Sequence, residues 1–220
     1  MTDKRIVLFA GHYGSGKTNI AVNYAIKLKN DGFPVLIADL DIVNPYFRTK
    51  DSEKELADKG IELICSEFAN TNLDIPSLPP NMYRVVNDKS FRAVMDIGGD
   101  DAGAVALGRF APFISEENNY EMIFVANFFR PLTRKAEDAY DVMKEIEAVS
   151  SLKFTAIVNN SNLGADTEAE DVISTFSEAE KLSALCGLPV LFTSCKKELY
   201  GEINIKGKKA FPLELQSKLF

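Results

Sequence analysis

Gly11 to Thr18 reads GHYGSGKT, which satisfies G-x-x-x-x-G-K-[ST] without a mismatch. Each fixed position has a physical task. The glycines let the backbone curl so that successive N–H groups point at phosphate oxygens. A helix beginning near Gly16 adds its positive end. Lys17 supplies a point charge to the outer phosphates, and the Thr18 hydroxyl is placed to ligate Mg²⁺. His12, Tyr13 and Ser15 complete the expected nucleotide-binding loop with Gly11, Gly14 and Gly16. The bland alternative is a glycine-rich turn capped by an exposed lysine. A dinucleotide-binding G-x-G-x-x-G does not fit, because the glycines at 11, 14 and 16 have the wrong spacing.

The loop sits where that motif belongs. Arg5 to Ala10 is a short apolar strand, and Gly16 to Lys29 carries Ile20, Ala21, Tyr24, Ala25 and Leu28 at helical spacing. Further strands are expected at Pro34 to Asp39, Ile61 to Ile64, Phe91 to Ile97, Met122 to Ala126, Phe154 to Val158 and Pro189 to Thr193. Helices are expected at Thr133 to Val149 and Asp166 to Leu185, with a short one at Asn81 to Asn87. Strands apolar on both faces and separated by helices predict an α/β, Rossmann-like, mostly parallel sheet covered by helices on both faces. No linker or repeat interrupts the pattern, so residues 1–220 are read as one nucleotide-binding domain. Ser66 to Ser90, with Pro76, Pro79 and Pro80, breaks the rhythm and is either a lid or partner surface or a packed excursion.

Carboxylates follow two of the strands. Asp39 and Asp41 lie in DLDIVNPYFR, after the second strand, where open α/β sheets bind ligands. One can help hold Mg²⁺-bound water and the other can orient an attacking water; the alternative is turn capping. Asp96, in MDIGGDD after the fourth strand, is placed to contact a Mg²⁺-bound water. Asp96 to Gly99 also matches D-x-x-G, in which a glycine N–H senses a γ-phosphate and swings a loop; a tight turn is the alternative.

Val158 to Gly164 (VNNSNLG) follows a strand at the usual place of a base-reading loop. Asn159 and Asn160 are the candidates there, against an ordinary asparagine-rich turn. Guanine readers of the N-K-x-D type carry an aspartate that is missing from Asn159–Asn162, which favours adenine. Thr193 to Cys195 is a candidate second wall, and Arg130 is either a phosphate or partner contact or a solvated loop residue. Cys65, Cys186 and Cys195 read as packing residues. With none of the 3 cysteines in a C-x-x-C pair, an in-chain metal cluster or disulfide scaffold is not expected. A net charge of −7 disfavours a nucleic-acid partner. No apolar run approaches the ~18 residues of a membrane span, and Phe211 to Phe220, with a single lysine, reads as packing rather than a membrane anchor. The expected location is cytoplasmic.

The ordered set GSGKT, DLD and DIGG resembles the MinD/ParA/CobQ/CobB group of P-loop NTPases, in particular bacterial members with GHYGSGKT and DLDIVNPYFR. The resemblance implies ATP with Mg²⁺ and often a nucleotide-sandwich homodimer. It places Asp41 at the water-activating position and Asp96 at the Mg²⁺-associated one. Lys17 and Asp41 are thus the expected catalytic pair, and Thr18, Asp39 and Asp96 the expected metal-side set. One departure stands out. The group's loop carries a lysine where this chain has His12, followed by glycine where it has Tyr13. That lysine reaches the partner's phosphates, so Arg48 and Arg130 become candidates to replace it, and His12 either contacts phosphate or partner or packs within the loop. The functions implied are a regulatory or assembly ATPase with an unidentified protein partner, an ATP-dependent ligase or amidoligase, or a nucleotide-dependent accessory factor to an oxidoreductase.

Overall fold

The computed structural model describes residues 2–41, 49–65, 79–205 and 209–215. Among these, strands β1 (Ile6–Ala10), β2 (Val35–Leu40), β3 (Glu62–Cys65), β4 (Arg92–Ile97), β5 (Tyr120–Ala126), β6 (Ala156–Asn159), β7 (Val190–Lys196) and β8 (Ala210–Leu213) form one sheet. Their order is β3-β2-β4-β1-β5-β6-β7-β8 and every neighbouring pair is parallel. The helices are α1 (Lys17–Asn30), α2 (Glu53–Asp58), α3 (Arg84–Asn87), α4 (Asp101–Gly108), α5 (Ala111–Glu117), α6 (Ala136–Ser150), α7 (Ala169–Ser174), α8 (Phe176–Cys186) and α9 (Tyr200–Ile205). The Rossmann-like α/β expectation is met.

The continuous apolar runs divide by parity, because successive side chains of a strand point to opposite faces. Ile6, Leu8 and Ala10 of β1 join Leu36, Ala38 and Leu40 of β2 in one core, closed by Leu107, Ile114, Ala139 and Leu182 from α4, α5, α6 and α8. Val7 and Phe9 join Val35 and Ile37 in the other, closed by Ile20, Tyr24 and Leu28 of α1 and Leu56 of α2. Each Leu, Ile, Val or Phe side chain among these, fully buried, contributes about 1.5–3 kcal/mol. The same parity fixes the carboxylates. Asp39 continues the Val35–Ile37 series, and Asp96 follows Val94, which packs in that second core. Register sets Asp39 beside Asp96, and Asp96 beside Phe9. Both carboxylates therefore stand on the α1 face at the C-terminal ends of adjacent strands.

Arg5, just before β1, locks two outer elements to the sheet. Its Nε and Nη2 donate to the two Glu117 carboxylate oxygens, each at 2.5 Å, and Nη1 donates to the Val85 carbonyl at 3.0 Å. The pair is almost buried, with side chains 9% and 11% exposed. Glu117→Gln leaves the guanidinium without its counter-charge and is expected to cost about 3 kcal/mol. The hydrogen bonds from Arg5 hold the Glu117 carboxyl below the usual carboxylate range. That stabilisation is complete above the unfolded-state pKa of about 4.3 and is lost as pH falls through the lower folded value. Urea midpoints of wild type and variant should differ at pH 7 and converge towards pH 3. Equal midpoints at pH 7 would remove the pair from the account.

Candidate phosphate and nucleotide site

The loop from Gly11 to Gly16 leaves the end of β1 and delivers Lys17 and Thr18 at the first turn of α1. Gly16 has φ +85°, and a Cβ there would collide with the Asn160 side-chain amide. Only glycine meets both demands. Asn160 donates from Nδ2 to the Ser15 carbonyl at 2.6 Å and accepts from the Ser194 hydroxyl, so the loops after β1 and β6 and strand β7 are joined through one amide. A cavity of about 670 Å³ opens between them, with Lys17, Thr18 and Asp41 at one end and Thr167, Ser194 and Leu213 at the other.

The phosphate end is polar, buried and incompletely satisfied. Lys17 is 6% exposed, and its Nζ donates to the His12 carbonyl at 3.3 Å. Burial lowers its pKa, partly offset by the negative charges of Asp96, Asp41 and Asp100. Asp96 is pushed up to about 6 by burial, against the pull of Lys17 and the hydrogen bonds from Thr18 and Thr49. The Thr49 hydroxyl donates to Asp96 Oδ2 at 3.0 Å, while Oδ1 and the Ser15 hydroxyl have no hydrogen-bond partner among the described residues. A buried carboxylate oxygen and a buried hydroxyl of this kind call for a polar partner, whether ligand, ion or water. Hard cations take carboxylate, hydroxyl, phosphate and water oxygens, and Mg²⁺ is usually bound by one or two protein groups with phosphates and water. Thr18 and Asp96 fit that pattern. Among the described residues no group of three or more His, Cys, Asp or Glu could hold a metal by itself.

The two early aspartates separate. β2 ends at Leu40, and the Asp41 N–H donates to Asp39 Oδ1 at 2.9 Å. Both are buried, but Asp41 lines the cavity and Asp39 does not. Gly99 completes the enclosure. A Cβ there would lie 2.7 Å from Lys17 Nζ and from the Tyr13 backbone, so the Gly98–Gly99 turn rests directly on the loop.

Other sequence candidates fall as follows. His12 Nδ1 donates to the Tyr13 carbonyl at 2.9 Å, Tyr13 is 53% exposed on the rim, and Gly14 lines the cavity. Asn159 is fully buried and turned into the fold. It donates to the Thr175 hydroxyl at 2.9 Å and accepts from the Ser161 N–H and hydroxyl. The cavity wall is built by Asn160 to Asn162 instead. In the Thr193–Cys195 segment, Ser194 and Cys195 reach the wall, and Thr193 does not. Cys195 also packs against Ala169, Val172 and Ile203, as expected of a packing residue, and its thiol is pushed up to about 11 by burial. Arg48, the remainder of DLDIVNPYFR and residues 66–78 lie outside the described residues. Thr49 was not anticipated, since a lone threonine after an irregular segment carries no pattern. Asp100 was not either, although it caps α4 by accepting from the Gly103 N–H at 2.9 Å.

No family model matches the sequence, and no curated protein matches it. Solved structures do. The chain is similar to the signal recognition particle receptor FtsY from Elizabethkingia anophelis in complex with GDP, with 15% identity over 88% of this chain and 58% of that one and a TM-score of 0.54. It is similar to the signal recognition particle 54 kDa protein from Aeropyrum pernix K1 in complex with GDP, with 15% identity over 88% and 42% and a TM-score of 0.55. It is also similar to FtsY from Mycoplasma mycoides, with 15% identity over 86% and 59% and a TM-score of 0.53. The chain spans less than two thirds of each of these proteins. The shared property is the fold, an α/β Rossmann-like sheet flanked by helices.

Proposed function

We propose that residues 1–220 form a Mg²⁺-dependent ATP-binding domain of the MinD/ParA-like kind of P-loop NTPase, hydrolysing ATP as a nucleotide-controlled switch. The observation that carries this is the unsatisfied Asp96 Oδ1 beside Thr18 and Lys17, at the foot of a glycine loop whose Ser15 hydroxyl is also unpaired. The loop N–H groups and Lys17 hold the β- and γ-phosphates. Thr18 and Asp96 hold Mg²⁺, directly or through water, with Asp39 adding negative charge beside Asp96. When bound, Mg²⁺ neutralises charge on the phosphates and orients them. Asp41 orients the attacking water from the cavity side.

The position of Gly99 supports a switch role. Any ligand group drawn to Lys17 meets the Gly98–Gly99 turn, and that turn leads into the Asp100 cap of α4. This contact would link occupancy of the phosphate end to a helix packed on the sheet. A homodimer or a further protein partner would read that change. Among the described residues no helix is long and apolar enough to cross a membrane.

The base preference rests on acceptors. Asp41, at the phosphate end, is the one carboxylate lining the cavity among the described residues. Counting three residues on from Asn159 or Asn160 gives Asn162 or Leu163, so no aspartate answers the guanine N1–H and amino group. A buried donor pair left unanswered costs several-fold to a hundredfold in affinity. ATP is expected to bind at least about tenfold more tightly than GTP in a competition titration. The GDP in two of the similar structures makes GTP the rival ligand, and a clear GTP preference would reject the adenine assignment.

A further inference from the structure

Arg130 belongs to the connection between β5 and α6, far in sequence from the phosphate loop, yet its Nε donates to the Gly14 carbonyl at 2.8 Å. Gly14 is close enough that a Cβ there would sit 3.4 Å from that nitrogen. The side chain lines the same cavity as Lys17 and Thr18. Its two Nη groups have no hydrogen-bond or ion-pair partner among the described residues. An arginine that spends one donor on a loop carbonyl keeps four N–H donors and a full charge for an anion.

The backbone that carries Arg130 is firmly held. Asn127 is fully buried; its carbonyl accepts from the Arg130 N–H at 3.1 Å and from the Thr133 hydroxyl at 2.7 Å. Its side-chain oxygen accepts from the Phe129 N–H at 3.0 Å, and the Phe128 N–H donates to the Ser161 hydroxyl at 2.9 Å. All these contacts lie within one chain. The charge therefore reaches the loop without a second copy, at a rim where His12 provides none of the length or fixed charge of an arginine.

We infer that Arg130 is a substrate-contacting residue acting in cis: it binds the phosphates held by its own chain's loop and supplies the positive charge that their transfer requires. This rests on the ATPase reading above. Phosphoryl transfer is accelerated chiefly by positioned charge, and a well-placed arginine contributes factors of ~10³ and more. Its Nε bond to Gly14 makes the guanidinium specific, since a lysine cannot hold the carbonyl and present a planar pair of donors together.

The test is single-turnover hydrolysis of Mg²⁺-ATP, read beside ATP affinity and the unfolding midpoint. Arg130→Ala is expected to slow hydrolysis by at least about 100-fold with an unchanged midpoint, and Arg130→Lys to remain slow. An equimolar mixture of Arg130→Ala and Lys17→Ala separates cis from trans. The Lys17→Ala chain lacks its own phosphate grip but carries an intact Arg130. In cis the mixture stays as slow as Arg130→Ala alone. Recovery of hydrolysis in the mixture would show that one copy's arginine serves the other's phosphates and would overturn the inference. Wild-type rates in either Arg130 variant would overturn it too. Absence of ATP binding by the wild-type chain would remove the preceding reading along with this one, and shows in the control before any variant is measured.

Discussion

Lys17→Ala is expected to lower Mg²⁺-ATP affinity by at least about 100-fold, or about 2.7 kcal/mol, without lowering the unfolding midpoint. The two halves have separate causes. Lys17 is the sole lysine or arginine that is both buried and on the cavity wall among the described residues. A charge-assisted bond formed in so enclosed a place is strong. In the free protein the same burial lowers the lysine's pKa, with Asp96, Asp41 and Asp100 only partly compensating. A lysine whose pKa is depressed in the folded state is held charged at a cost, so truncating it does not remove a stabilising group. Calorimetric titration and thermal unfolding of the same preparations check both halves. Equal ATP affinity in variant and wild type would reject the phosphate-loop reading, and a large fall in midpoint would show that Lys17 props the fold.

How far such a site is legible beforehand depends on how its residues are held. β1, β2, β4 and β5 were readable because both of their faces are buried, which makes the sequence run apolar without interruption. β8 escaped notice because Pro212 interrupts it; the structure tolerates a proline there because β8 is an edge strand and Pro212 is exposed. Its Phe211 stacks on Phe192 at 4.7 Å, which bears out a packing role for that part of the terminal segment. Helix α4 is small-residue rich and shows no helical period, so nothing marked it. The single helix expected over 166–185 is two, α7 and α8, broken at Thr175, whose hydroxyl is bonded to the Val172 carbonyl and receives Asn159. The helix expected from Thr133 begins at Ala136, after Lys135 adopts extended backbone.

The candidate site shows the same division. Contiguous motif residues are legible because their spacing alone implies geometry, as at Lys17 and Thr18. Residues that meet through tertiary structure are not. Which asparagine of the 159–162 run faces the cavity depended on strand parity at the end of β6, and the structure turns Asn159 inward and Asn160 towards the loop. Thr49 finds Asp96 across 47 residues of sequence. Two residues apart, Asp39 and Asp41 would point the same way on a continuously extended chain. Because β2 stops at Leu40, Asp39 instead accepts from the Asp41 backbone, and Asp41 alone comes to the cavity wall.

That separation makes Asp41→Ala the sharpest test of catalysis. The variant is expected to bind Mg²⁺-ATP within about threefold of wild type and to hydrolyse it about 10²–10³-fold more slowly. Asp41 lines the phosphate end of the cavity, and its Cα lies where a Cβ on Gly98 would be 3.3 Å away. It thus stands next to the turn that rests on Lys17. From there a carboxylate can orient water towards the γ-phosphate, an interaction that gains its full strength only as the water attacks. Removing a contact made in the transition state lowers the rate and largely spares ground-state binding. Asp39 should behave differently. Its carboxylate receives the Asp41 N–H and sits in register beside Asp96, so Asp39→Ala disturbs position and metal-side charge and should weaken Mg²⁺-ATP binding as well as turnover. Single-turnover rates and affinities for the two variants side by side separate these roles. A wild-type rate in Asp41→Ala would make Asp41 a turn residue and move the catalytic assignment to Asp39, whereas a parallel loss of affinity and rate in both would place the pair on the metal side together.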